Sequence, residues 1–430
     1  MRLTVRRRRC RATFCIVCIL PTLLMASAAV IVNTPAYRAA QTARWQSRLA
    51  ARLGLQAQCS RIDWEENGRL VVHGIELQDP ESQACLARAQ SATIACVDTK
   101  PVIELSQPEV AVSRLPRLVE VLHEHLMQRN ETTGTAFQLS AATVLLQSDT
   151  QSKSLLEVDL AVDVSRDATE AFLQFRPTGS KEGNPMRVRV VRNRQLAPPA
   201  TGWELHTGIS RLPCRLLSAW FPQLNRLGDS CTFEGSVWSE RLGSGWEAEI
   251  SGVFRRLDLD RLVTGQFPHK LSGMAELTLP RLIIHRDRVM QAEGTLCSSG
   301  GVISRSLINA AQEHLALKQH TPFTEAMLLR YSNLSFEFSL NDDGLAVTSC
   351  GDDQYQSVLA DSQGPLLSSQ EAGALPSHAL VRCLVPFGEM NVPASKETLP
   401  MLRALPLPEV NPVATADASS TYAPLKLRRE

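Results

Sequence analysis

The feature that most constrains this chain is an uncharged run close to its N-terminus. Residues 12–32, ATFCIVCILPTLLMASAAVIV, carry no charged side chain. At 1.5 Å per helical residue the run reaches about 31 Å, which matches a bilayer hydrocarbon core of about 30 Å. The sequence therefore predicts one transmembrane helix, with Ile16, Leu20, Leu24 and Val30 as membrane-anchor residues.

The residues before this run set its expected orientation. Residues 1–11 hold six arginines and no acid. Because basic flanks stay in the cytoplasm, the remaining ~400 residues are expected across the membrane. A cleavable signal peptide is the alternative, since Ala26-Ser27-Ala28 resembles a cleavage site. Four more apolar residues follow that site, which makes the run long for a signal peptide and favours an uncleaved anchor.

Charge and cysteine content limit the partners and cofactors. The 45 basic and 44 acidic residues nearly cancel, so no global field attracts nucleic acid. The cysteines beyond the anchor show no zinc-site spacing, and we expect neither a metal nor another cofactor. In an oxidising compartment two local pairs could form disulfides, while free buried cysteine is also common and leaves the pairing open. These pairs are Cys85 with Cys96 and Cys214 with Cys231.

Residues 33–55 are predicted to form an amphipathic helix beside the membrane. Trp45, Leu49 and Leu53 recur every four residues, Pro35 suits a first helical position and Gly54 suits a C-terminal cap. Such a helix could lie on the outer leaflet surface or cap the β-structure that follows.

From residue 56 the apolar pattern has a period of two, which predicts strands up to about residue 360. In RLVVHGIELQ, Leu70 and Val72 share a face, and the phase slips at Gly74 so that Ile75 and Leu77 align after a bulge. An Asp-Pro turn and a returning strand complete a hairpin.

Two further segments predict how the strands are oriented. LEVDLAVDV is expected to place residues 156, 158, 160, 162 and 164 on one face and its acids on a solvated face. LSFEFSLNDDGLAVTSC predicts a hairpin with Phe336 and Phe338 on one face.

Glycine spacing and helical periodicity add three more expectations. Gly252, Gly273 and Gly294 lie 21 residues apart, which indicates a meander of similar strands. Residues 115–130 and 300–317 have helical periodicity. His123 and His125, about 200° apart on the first helix, cannot share a metal as HExxH histidines do and are predicted to be solvated.

Residues 361–430 are rich in Pro, Ser and Ala, and a flexible tail is expected from about residue 405.

The sequence contains no nucleophile elbow, HExxH, P-loop or kinase motif. This predicts a protein that is not an enzyme and has no catalytic residues. An anchored envelope enzyme of unrecognised type remains an alternative.

The N-terminal part of the sequence, with the helix, strand and turn pattern described above, resembles the AsmA-like, TamB-related family of membrane-anchored bacterial envelope proteins. The similarity covers about residues 10–110 and, more loosely, 246–317. It is carried by a helix ending in Leu-Gly, alternating strand positions, an Asp-Pro turn and an LAR segment that opens the next strand. In this sequence those roles fall on Leu53, Gly54, Gly68, Leu70, Val72, Gly74, Ile75, Leu77, Asp79, Pro80, Leu86, Ala87 and Arg88. Residues 130–245 match no part of the family pattern.

The resemblance implies a mainly β fold with a few helices (α+β), in which an elongated antiparallel sheet curls into a groove with an apolar interior. Residues 56–360 would form this periplasmic groove, anchored in the bacterial inner membrane. Phospholipid acyl chains and envelope proteins are the implied partners, and the implied role is phospholipid handling or support of outer-envelope assembly. A non-catalytic structural or assembly subunit is the alternative. The expected groove-lining residues are Leu70, Val72, Ile75, Leu77, Leu277, Leu279, Phe336 and Phe338.

Overall fold

The computed structural model of this chain describes a mainly β protein with a few helices. The described residues are 22, 25, 34–65, 67–97, 100–128, 136–147, 152–178, 184–218, 222–242, 245–320, 326–350, 357–370 and 373–385. Within them, a 21-stranded sheet and a separate three-stranded sheet contain all named strands.

The helices and strands follow in chain order. The helices are α1 Pro35–Leu53, α2 Leu115–His123 with a π-turn at Glu124–Gln128, α3 Cys214–Leu217, α4 Arg305–His314 and α5 Ala379–Leu384. The strands are β1 Gln56–Gln58, β2 Arg61–Trp64, β3 Leu70–Gln78, β4 Cys85–Val97, β5 Lys100–Ser106, β6 Glu109–Ala111, β7 Phe137–Gln147, β8 Lys153–Val164, β9 Ala168–Pro177, β10 Met186–Asn193, β11 Ala200–His206, β12 Leu212–Pro213, β13 Thr232–Leu242, β14 Gly245–Asp258, β15 Leu271–Ser272, β16 Met274–His285, β17 Arg288–Ser298, β18 Gly301–Ser304, β19 Leu317–Gln319, β20 Leu328–Tyr331, β21 Asn333–Asn341, β22 Gly344–Ser349, β23 Ser357–Ala360 and β24 Pro365–Ser369.

The large sheet is a long meander with one crossover. Pairing runs from β1 and β2 through β3, β4, β5 with β6, and then β7 to β11. It continues through β13, β14, β16, β17 and β21 to β22 and β23, and ends at β24 and β19. These pairs are antiparallel except β5–β7 and β6–β7, which are parallel because α2 connects β6 to β7.

The sheet curls around α2. The His123 ring packs against Trp203 of β11 with centroids 5.6 Å apart, and His125 packs against Gly54, next to β1. In strand order β1 and β11 are eight steps apart, which would be about 38 Å in a flat sheet. One helix, about 10 Å wide, can touch both only because the sheet bends around it. The face towards α2 is therefore the concave face.

The outer, convex face carries charged side chains in pairs. Lys100 lies 2.8 Å from Asp163, and Arg189 lies 2.6 Å from Glu170. The first pair spans β5 to β8 across β7 and its side chains are exposed, whereas the second joins the neighbouring strands β10 and β9 and its side chains are partly exposed. Such pairs contribute little to stability, but they keep this face solvated.

The acids of LEVDLAVDV lie on the convex face as expected, although the inward set differs by one residue. Glu157 has a left-handed backbone with φ 50°, which shifts the phase of β8. Leu155 therefore packs inward, whereas Leu156 is 37% exposed. Gly74 in β3 has φ 58°, but the β3–β4 register runs unbroken across it and shifts only between Leu77 and Gln78, so the bulge predicted at Gly74 is wrong in position.

Helix α1 caps one end of the sheet. Thr34 Oγ1 accepts a hydrogen bond from the Tyr37 amide, and Gly54 ends the helix with φ 71°. Leu53 packs with buried Leu55 against the cluster beneath α2. The stripe that includes Trp45 is only half-buried. The capping alternative for this helix therefore has structural support.

The opposite half of the concave face is covered by the short helices and the small sheet. Ile308 of α4 is fully buried in the largest cluster, with Phe233, Leu257 and Leu359. Val381 of α5 packs in a neighbouring cluster. The core of the protein is thus concentrated towards the C-terminal end of the sheet.

Several segment boundaries differ from expectation. Residues 301–304 form β18 and only Arg305–His314 is helical, so the helix predicted over 300–317 is too long. The Ser304 hydroxyl accepts from the Leu307 amide, which fixes the helix start there. The sheet continues past residue 360 with β24.

The predicted anchor, apart from residues 22 and 25, and the predicted tail from 405 lie outside the described residues. Among the helices that are described, none is both long and apolar enough to cross a bilayer.

Candidate functional site

A continuous row of aliphatic side chains crosses the concave face. Each member stands directly opposite the next in the strand register, so all of them lie on one face. We call this row the apolar track. From β3 to β22 it consists of Leu70, Ile94, Ile103, Leu139, Leu160, Leu173, Val188, Leu205, Val237, Ile250, Leu282, Ala292, Leu340 and Leu345.

The middle of the track is half-buried, and its members from Leu173 to Leu282 also pack against neighbouring core clusters. Every member from Ile94 to Leu282 is half-buried, whereas Leu70 at one end and Leu345 at the other are buried. Nine strand steps separate β4 from β16, so this stretch extends for about 43 Å along the curve of the sheet. Two lipid tails end to end, which make up the hydrocarbon thickness of a bilayer, occupy about 30 Å. The track is long enough for both.

The expected groove-lining residues fall into two separate groups. Leu70 and Val72 are 3% and 1% exposed, and Leu77 packs beneath α2. Ile75, in the same strand, is half-buried and lines a shallow cleft. This group occupies β3, near the first edge of the sheet.

The second group lies at the far end of the sheet. Leu277 and Phe336 pack on the cluster beneath α4, and Phe338 on the cluster beneath α5. Leu279 is 7% exposed. Polypeptide therefore covers Leu279, whereas Leu277, Phe336 and Phe338 are half-buried like the middle of the track. The half-buried middle of the track was not identified from the sequence, although each strand showed its alternation there.

Two glycines of the predicted 21-residue repeat lie beside the track. Gly252 of β14 stands opposite Gly235 and Leu279, and Gly294 of β17 stands opposite Phe338. A Cβ on Gly294 would lie 2.7 Å from the Phe338 ring, so glycine is required for this packing. Gly273 precedes β16 and does not share the position, so the repeat is not a structural one.

A polar cluster flanks the track. Arg192 lies four residues along β10 from Val188, and its Nη1 donates to Thr201 Oγ1 at 2.9 Å. Arg194 Nη2 donates to Thr169 Oγ1 at 2.6 Å. Both threonines are buried. Burial, followed by the nearby charge of Arg194, lowers the pKa of Arg192.

His123 contributes to the same cluster, which corrects the prediction of a solvated histidine. The ring is half-buried against Trp203, and its Nδ1 is buried with no hydrogen-bond partner in the structure. Burial and then the charge of Arg192 lower the pKa of His123, while Glu124 acts in the opposite direction. His125 points elsewhere, towards Gly54, so the two histidines are separated as the sequence predicted.

The thiol and carboxylate groups of the described residues form no metal site, and one of the two predicted cysteine pairs is brought together. No three His, Cys, Asp or Glu side chains there are close enough to hold a metal ion. Cys85 and Cys96 lie at opposite ends of β4, about 37 Å apart, which excludes that pairing within one chain. Cys214 and Cys231 are buried with their Sγ atoms 2.9 Å apart.

A shallow cleft of about 450 Å³ near the first edge is lined by polar side chains, including the Glu76–Arg88 pair at 3.2 Å. It lies away from the middle of the track and supplies no apolar surface comparable to it.

Fold and site together define a class: a curled β-sheet protein whose concave face carries a long apolar track with a cationic cluster beside it. No protein-family model, curated protein or solved structure matches this chain.

Proposed function

We propose that this protein binds phospholipid acyl chains along the apolar track, as an AsmA-like envelope protein would. The half-buried aliphatic row from Ile94 to Leu282 supports this proposal most strongly. Apolar area left in contact with water costs about 25 cal/mol per Å², so covering a few hundred Å² with a lipid tail contributes several kcal/mol. A long apolar surface that polypeptide covers only in part marks an interaction site.

The direct test is the lipid content of the purified full chain. After extraction, gel filtration and delipidating washes, mass spectrometry should recover phospholipid in a fixed molar ratio to protein. A control membrane protein purified in parallel should retain less. Phospholipid at or below the control level, with no binding of added lipid, would contradict the proposal.

We also propose that residues 12–32 anchor the protein in the bacterial inner membrane with the sheet in the periplasm. The arginine-rich N-terminus and the length of the uncharged run support this placement. The double variant Leu20→Arg and Leu24→Arg should move the protein out of the membrane fraction, because each charge at bilayer depth costs about 2.5–3.5 kcal/mol on the insertion scale. Unchanged fractionation would contradict the anchor.

The second candidate function is a structural or assembly subunit of an envelope complex. It is favoured by the far end of the sheet, where α4 and α5 cover the concave face and fill it with side chains such as Ile308 and Val381. Its signature is a stoichiometric protein partner in crosslinking of the full chain, together with an absence of bound lipid.

A further inference from the structure

We infer that Arg192 and His123 bind the phosphate of an acidic lipid headgroup, whose tails then lie on the apolar track. This inference rests on the proposed function and specifies the ligand of the same site. It concerns lipids whose phosphate has no covalently attached cation, such as phosphatidylglycerol.

The charge of Arg192 is the first observation. Within the described residues its side chain has one hydrogen bond, to Thr201, and no carboxylate lies in ion-pair range. The charge of Arg194 acts on Arg192, and the charges of Arg192 and of Glu124, the residue after His123, act on His123. A half-buried guanidinium without an anion is costly, and its planar fork matches a phosphate. The site therefore lacks a negative charge that a ligand can supply.

The second observation is the unpartnered nitrogen of His123. Buried nitrogen atoms are nearly always hydrogen-bonded, so an orphan Nδ1 indicates a missing partner. The His123 ring reaches the sheet at Trp203, which stands opposite Val190, two residues before Arg192. The charge of Arg192 contributes to the lowered pKa of His123. A phosphate oxygen between them would satisfy both groups.

The position of the cluster relative to the track is the third observation. Arg192 is four residues from Val188, or about 14 Å along β10. The intervening Val190 is 8% exposed and apolar. A headgroup at Arg192 therefore connects directly to an apolar surface, which is the arrangement that an amphipathic ligand requires.

The test measures headgroup selectivity in the full chain. Protein is captured from mixed micelles that contain equal amounts of phosphatidylglycerol and phosphatidylcholine, and the retained lipids are quantified by mass spectrometry. We expect phosphatidylglycerol to be enriched about tenfold in the wild type, as a charge-assisted hydrogen-bond pair allows. Arg192→Gln should abolish the enrichment while total lipid is retained.

Matched controls separate this inference from the proposed function. Arg187→Gln removes an arginine from the same strand on the convex face and should keep the enrichment. His123→Gln should reduce the phosphatidylglycerol enrichment. If Arg192→Gln does not fold, the enrichment measured for His123→Gln tests the inference instead. Lipid bound by the wild type without headgroup preference overturns the inference alone, whereas no bound lipid in any variant overturns the proposed function.

Inorganic phosphate distinguishes a lipid headgroup from a soluble ligand. Added at a concentration equal to that of phosphatidylglycerol, it should leave the enrichment intact, because the lipid tails add binding energy that phosphate lacks. Complete displacement under these conditions would assign the cluster to a soluble phosphate compound and overturn the headgroup inference.

Discussion

A carboxylate placed in the middle of the apolar track should expel lipid, and Leu173→Glu makes this change. Leu173 of β9 is half-buried between Leu160 and Val188, its register partners in β8 and β10. Its neighbour Gln174 lies on the convex face, opposite Arg187 in the register. Gln174→Glu therefore adds the same charge to the same strand on the other face and provides the matched control.

The magnitude follows from the share of the track that the charge disrupts. A lipid that buries on the order of 300 Å² gains about 7 kcal/mol at about 25 cal/mol per Å². A charged side chain at 173 would exclude a tail from that strand and its two neighbours, three of the ten strands from β4 to β16. The loss is then about 2 kcal/mol, which corresponds to roughly 30-fold weaker binding.

The assay is retention of phospholipid by the full chain, with thermal unfolding of each variant measured alongside. We expect Leu173→Glu to lose most of its lipid and Gln174→Glu to keep it. Equal retention by the two folded variants would refute the view that lipid occupies the track. If Leu173→Glu does not fold, the milder Leu205→Asn on the same track replaces it.

Three further predictions concern the scaffold. Hydrogen bonds, chiefly from Ser82 and then from Arg117, lower the pKa of Asp79 to about 2. The contribution of this carboxylate to stability is therefore complete above its unfolded pKa of about 3.8 and is lost as the pH falls through 2. Asp79→Asn should remove this acid-dependent part of the unfolding profile, and an unchanged profile would show that the bonds to Asp79 have no role in stability. Ile308→Ala should lower the free energy of unfolding by about 2–5 kcal/mol because Ile308 is fully buried. Ile209→Ala, at a 65% exposed position, should change it by less than about 0.5 kcal/mol. Similar losses for both variants in denaturant titrations would contradict the assigned core. Oxidation should join Cys214 to Cys231 and stabilise the fold by about 3 kcal/mol, because the bond closes a loop between residues 17 positions apart. Cys214→Ser should lack this stabilisation. If thiol counting by mass spectrometry finds both cysteines free under oxidising conditions, the prediction is wrong.

Local elements could be predicted from the sequence because their signals are local. The capped helix ending at Gly54, the left-handed backbone of Gly74 and the hairpin carrying Phe336 and Phe338 all follow from residue spacing and backbone preference, whereas the bulge expected at Gly74 lies further along β3. The large curled antiparallel sheet was also expected, through the family resemblance.

Features that depend on register and curvature could not be read from the chain. The track requires each aliphatic residue to stand opposite the next, and a one-residue slip such as that at Glu157 changes which leucine faces inward. His123 was predicted to be solvated because its contact, Trp203, lies far along the sequence and is brought near only by the curl of the sheet. The cluster around Arg192 gave no signal of its own, since arginine alternates along an ordinary strand.

The most direct measurement of the central claim is site-specific photo-crosslinking in cells. A crosslinking residue is placed at Leu205, on the track, and separately at Glu204, its neighbour on the convex face. Our account predicts phospholipid adducts at position 205 and none at position 204. Adducts to protein alone at 205, or equal lipid labelling at both positions, would contradict the claim that the concave face of this sheet holds lipid.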